Sequence, residues 1–70
     1  MQTVDGLVLS DLSLGQRVRL ARVAVGLRQL DVASMADVPL SSVSDVELER
    51  SVKTWKLARI VAALGLDCQP

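Results

Sequence analysis

The tripeptide Asp37-Val38-Pro39 constrains the fold of this chain more than any other feature. Before it, apolar residues recur at helical spacing over Gln29–Ala36, and after it a second short helical pattern runs to about Leu48. Proline is tolerated near the start of a helix but not in its interior, so Pro39 marks the start of the second helix. The sequence therefore predicts two short helices, over residues 29–36 and 39–48, that are joined by a tight turn.

A longer helix is predicted on each side of this pair. Ser13 and Gln16 have the spacing of a capping box, and Gly26 ends the helix that they start. Thr54 is predicted to cap the last helix, which ends at Gly65. The residues expected to face the core are Leu14, Val18, Ala21 and Val25 in the first helix, and Leu57, Ile60, Val61 and Leu64 in the last.

The composition favours helices packed on helices. Hydrophobic residues make up 50% of the 70 residues, nearly all of them Leu, Val or Ala, and Trp55 is the one aromatic residue. Seventy residues provide one core, which predicts a single domain over residues 12–66 with an N-terminal arm (residues 1–11) and a C-terminal tail (residues 67–70).

Several functional classes are disfavoured by the residues that are missing. The chain has one cysteine, Cys68, and neither His nor Tyr. This excludes an internal disulfide and predicts no metal site, no cofactor and no enzymatic acid–base or nucleophilic group. The apolar runs are shorter than the roughly 20 residues that span a bilayer, and no secretion signal is recognisable. We therefore expect a cytoplasmic protein without a membrane partner.

An ordered set of residues across positions 12–66 resembles the Cro/phage-repressor family of helix-turn-helix domains. The matching residues are Leu14-Gly15-x-Arg17-Val18-Arg19, Arg22, Gly26-Leu27-x-Gln29, Val32-Ala33, Val38, Val43-Ser44-x-x-Glu47 and Ala63-Leu64-Gly65. The resemblance implies an all-α, compact four- to five-helix bundle with a central helix-turn-helix. It also implies a small transcriptional regulator (a repressor, a controller or an antitoxin) that binds operator DNA in its major groove, usually as a homodimer.

The resemblance also assigns roles to individual residues. It implies that Leu40, Ser41 and Asp45 contact base edges, and that Arg22 and Glu47 form a structural ion pair. The residues expected to contact the DNA backbone are Arg28, Gln29, Ser42, Arg50, Lys53 and Lys56.

Other features favour a second reading, in which the helix-turn-helix binds a protein. The formal net charge is zero, whereas DNA-binding domains usually carry a basic surplus. Leu40 and Asp45 are also unusual residues at positions that read base edges. In this reading the protein is an adaptor or an anti-repressor, and its protein partner would be a toxin or another regulator. Apolar residues outside the predicted core stripes (Leu20, Val23, Leu48 and the Leu7–Leu9 part of the arm) indicate a partner surface, such as a homodimer contact. Trp55 is expected to anchor the core or an interface.

Overall fold

The computed structural model describes residues 12–66, which form four α-helices and no strand. The helices are α1 (Leu14–Ala24), α2 (Gln29–Ala36), α3 (Leu40–Glu47) and α4 (Thr54–Ala63). The predicted all-helical class is confirmed, and no helix in this part of the chain is long and apolar enough to cross a bilayer. The predicted arm and tail lie outside the described residues.

The helix starts differ in how they are capped. At α1 the predicted capping box is present: the Ser13 hydroxyl accepts from the Gln16 amide, and the Gln16 side chain accepts from the Ser13 amide at 2.9 Å. At α2 the cap position holds Arg28, and the Asp31 carboxylate accepts from its backbone N–H at 2.7 Å. The predicted Thr54 cap is wrong, because Lys53 occupies the cap position of α4 and Thr54 is already helical.

All four helices end with the same local motif. A residue in the left-handed region, with φ between 56° and 77°, follows the last turn of each: Gly26, Asp37, Glu49 and Gly65. At α1, for example, the amides of Gly26 and Leu27 donate to the carbonyls of Val23 and Arg22, both at 3.0 Å, which is a Schellman motif. The next residue then turns back onto the core at three of the four ends, through Leu27, Val38 and Leu66. The chain reversals are therefore set by hydrogen bonds within the helix ends.

The core takes one fully buried aliphatic side chain from each helix: Val18, Val32, Val43 and Ile60. Around these lie Ala33, Ala36, Val38, Val46 and Val61. Helix α2 packs on both α3 and α4, and α1 packs on α3. The prediction that Val25 faces the core is wrong, since it is 67% exposed where the chain turns away after α1.

The N-terminal end of α1 lies directly against the C-terminal end of α3. A Cβ at Gly15 would overlap the Val46 carbonyl oxygen and the Glu49 carboxylate, so only glycine fits there without a shift of the backbone. The Ser13 hydroxyl donates a hydrogen bond to the same Glu49 carboxylate. This close approach fixes where α3 ends relative to α1.

Candidate nucleic-acid interface

Helix α3 has one face in the core and one face in solvent. Its inner side buries Ser42, Val43 and Val46. We call the opposite side, made of Leu40, Ser41, Ser44, Asp45 and Leu48, the outer face of α3. Leu40 and Leu48 are 46% and 57% exposed, and Ser41 is exposed as well. The three residues that the sequence assigned to base contacts therefore share one accessible helix face.

Ser42 does not belong to that face. The residue is only 5% exposed, because it lies one position after Ser41 on the side of α3 that packs inward. This burial contradicts the expectation that its side chain contacts a DNA phosphate. The backbone N–H of Ser42 is also used within the protein, where it donates to the Pro39 carbonyl at 2.9 Å.

Three helices are joined by a hydrogen-bonded network behind α3. Arg22 Nε and Nη2 donate to Glu47 Oε2 and Oε1 at 2.7 and 3.1 Å, a two-bond geometry that suits guanidinium and carboxylate. Gln29 Nε2 donates to Glu47 Oε1 at 3.1 Å. Arg22 Nη1 also donates to the Leu27 carbonyl at 3.0 Å. The network thus holds α1, the start of α2 and the end of α3 together.

The network keeps both ions charged. Burial alone would raise the pKa of Glu47, but the hydrogen bonds from Arg22 and Gln29 outweigh it and hold that pKa below its ordinary value of 4.5. The hydrogen bond to Glu47 raises the pKa of Arg22. The side chains of Arg22 and Glu47 are only 13% and 5% exposed, so the pair is largely shielded from solvent.

Two of the cations that the sequence placed around α3 are paired with acids. Arg28 Nη2 lies 3.1 Å from Asp31 Oδ1, and Arg50 Nη1 lies 3.6 Å from Asp45 Oδ1. The hydrogen bond to Asp31 raises the pKa of Arg28, and the pKa of Asp31 is lowered in turn. Both arginine side chains remain mostly exposed, at 78% and 67%. Asp31 and Asp45 therefore offset two of the positive charges that the sequence analysis placed beside α3.

Lys53 and Lys56 are in a different situation. Among the described residues, neither lysine has a carboxylate within 4.0 Å. Lys53 is exposed at the cap position of α4, directly after the loop that follows α3. The described part of the chain contains all eight basic residues and five of the eight acidic ones, which gives it a formal net charge of +3.

A cluster around Trp55 was not foreseen from the sequence. Trp55 is 50% exposed, which contradicts the expectation that it anchors the core, while an interface role stays a prediction. The Arg59 guanidinium lies 4.9 Å and the Lys56 ammonium 5.6 Å from the ring centre. Arg59 Nη1 also donates to the Asp37 carbonyl at 3.2 Å and so connects α4 to the turn between α2 and α3. The spacing of four residues between Trp55 and Arg59 was the available signal.

No family model matches this chain, and no curated protein matches it. The similarity to the Cro/phage-repressor family therefore stays a prediction from the residues. Among the described residues, no group of three or more His, Cys, Asp or Glu side chains is arranged to hold a metal ion.

Proposed function

We propose that this protein is a sequence-specific duplex-DNA-binding protein that acts as a small transcriptional regulator, with α2 and α3 as its helix-turn-helix. The proposal rests on the two sides of α3: its inner side packs in the core, and its outer face is accessible to solvent. The major groove of B-DNA is about 12 Å wide and admits one α-helix, provided that the helix projects from its own domain. An operator read by a two-fold homodimer would then be pseudo-palindromic.

The charges support contact with the phosphate backbone beside α3. Lys53 and Lys56 follow the loop after α3 and have no acidic partner in the described part of the chain. The N-terminus of α4 adds partial positive charge, because its first N–H groups are not used within the helix, whereas the Asp31 carboxylate offsets this charge at α2. In this arrangement one hydrogen of the Gln29 side-chain amide is donated to Glu47, and the second stays available for a phosphate.

The outer face of α3 offers three kinds of base contact. The Ser41 hydroxyl donates and accepts, so it suits several base edges. The Leu40 side chain suits the methyl group of thymine. The Asp45 carboxylate accepts from the amino group of cytosine, and Arg50 offsets part of its repulsion from phosphate.

The test begins with selection of bound sequences from a random duplex library, followed by salt titrations on the enriched site. Lys53→Ala is expected to weaken binding to all sequences by a similar factor and to reduce the slope of log K against log salt by about 1. Lys53→Arg is the matched control and keeps the slope. Ser41→Ala is expected to change base preference at one position, whereas Ser34→Ala, an exposed serine on α2, is not.

Failure to enrich any sequence, together with no binding to random duplex DNA at low salt, would overturn the proposal. It would favour the second candidate, a protein-binding helix-turn-helix whose partner is a toxin or another regulator. A specific observation supports that candidate: an open groove of about 370 Å³ runs between Leu30 on α2 and Leu40 on α3. Leu40→Ser would then abolish capture of the partner, and Lys53→Ala would not.

A further inference from the structure

Helix α1 carries an apolar groove on a side that lies outside the core. Gly15 and Val18 bury the inner side of the helix. The outer side lines an open groove of about 380 Å³ with Leu12, Gln16, Arg19, Leu20 and Val23. Leu20 and Val23 are 51% and 57% exposed, so no described element covers this side. We call it the α1 groove; it is separate from the outer face of α3.

The charge of the α1 groove restricts what can fill it. Arg19 is its one charged lining residue, and it is exposed without a carboxylate within 4.0 Å among the described residues. The apolar lining offers little to a phosphate backbone. Packing the same face of a second copy against it would bring two Arg19 side chains toward each other, which is unfavourable. The groove therefore fits an apolar segment that carries negative charge.

Residues 4–9 of this chain have that chemistry. They include the apolar residues Val4, Leu7, Val8 and Leu9 together with Asp5, and residues 1–11 contain no Lys or Arg. They lie outside the described residues and come shortly before Leu12, the first residue that lines the groove. Six residues can reach up to roughly 20 Å, and the helical part of the groove lining, from Gln16 to Val23, covers about 10 Å at the helical rise per residue. A covalent tether also gives such a segment an effective concentration on the order of millimolar.

We propose that residues 4–9 occupy the α1 groove of their own chain, with the four apolar side chains against Leu20 and Val23 and the acidic residue near Arg19. This inference does not depend on DNA binding. In this proposal the exposed apolar residues of α1 contact the apolar residues of the arm within one chain, and they do not form a dimer contact.

Paramagnetic NMR of the full-length chain tests the proposal. The native thiol is removed by Cys68→Ser, and a nitroxide is attached through Thr3→Cys. The amide signals of Gln16, Leu20 and Val23 are expected to lose intensity, while the signals of the outer side of α4, at Ala58 and Ala62, keep theirs. Equal intensities at both sets of amides would overturn the proposal.

Two exposed leucines provide a matched pair for the control. Leu20→Ser is expected to restore the signals of the groove, whereas Leu48→Ser, at similar exposure on α3, is not. Arg19→Glu is a second groove variant and is expected to restore them in part. A mixture of nitroxide-bearing unlabelled chain with ¹⁵N-labelled chain that lacks the nitroxide is expected to show no loss. Loss in that mixture would overturn the proposal in favour of exchange of the segment between two copies.

Discussion

Replacing Glu47 with alanine tests whether the network behind α3 holds the domain together. The substitution removes the acceptor of three hydrogen bonds, two from Arg22 and one from Gln29. The Arg22 side chain, 13% exposed in the intact domain, then keeps one hydrogen bond, to the Leu27 carbonyl. The expected consequence is a large loss of stability together with a loosened contact between α1 and the end of α3.

The magnitude follows from the burial of the pair. Breaking a buried ion pair by removing one partner costs about 3–5 kcal/mol, and the bond to Leu27 that Arg22 keeps places this case at about 3 kcal/mol. A 70-residue domain has roughly 3.5–10 kcal/mol of total stability. A loss of about 3 kcal/mol in a domain of this size lowers Tm by roughly 12–24 °C. Glu47→Ala should therefore leave a marginally folded protein at room temperature.

The assay is unfolding in urea, monitored by circular dichroism, and the control variant is Asp45→Asn. Asp45 pairs with Arg50 at 3.6 Å on the surface, where an ion pair is worth about 0–1 kcal/mol. The double variant Arg22→Met with Glu47→Leu should recover most of the loss, because apolar groups need no partner. If Glu47→Ala costs no more than Asp45→Asn, the argument from burial is refuted.

Three further predictions concern the local features of the fold. Gly15→Ala should destabilise by about 1–3 kcal/mol in thermal unfolding, because its Cβ meets the Val46 carbonyl; Ser34→Ala, an exposed helical control, should not. Asp37→Gly should be more stable than Asp37→Ala by about 1–2 kcal/mol, because the residue has φ 56°; equal unfolding midpoints would contradict this. The lowered pKa of Glu47 contributes stability that is present above its ordinary, unfolded value of 4.5 and is lost as pH falls through the folded pKa. Tm should therefore fall on acidification from pH 5, and the fall should be smaller in Glu47→Gln.

The helix ends show how far local signals reach. Three left-handed positions, Gly26, Asp37 and Gly65, were readable because glycine and aspartate are among the residues that tolerate this conformation. Glu49 carried no such signal. It adopts φ 62° where α3 meets the start of α1, and its carboxylate accepts from Ser13. A contact between residues 36 positions apart is not visible in local sequence.

The candidate interface was likewise only partly predictable from the sequence. The resemblance indicated that Leu40, Ser41 and Asp45 face outward, and they do share an exposed or half-exposed face, whereas Ser42, which was also expected to contact DNA, is buried. The charges were harder to predict. Arg28 and Arg50 were expected to contact the DNA backbone, yet each lies near an acidic side chain on its own or the preceding helix. Ion pairing depends on side-chain directions that the helix period alone leaves open.

The sequence by itself determined the four helices and the turn at Asp37-Val38-Pro39, because caps, left-handed residues and apolar periodicity act over one or two turns of chain. The tertiary structure alone decided that Ser42 is buried, that Trp55 is exposed beside two cations, and that Gly15 lies against the Val46 carbonyl. These depend on how helices cross, which is set by the simultaneous fit of many side chains and not by any one segment.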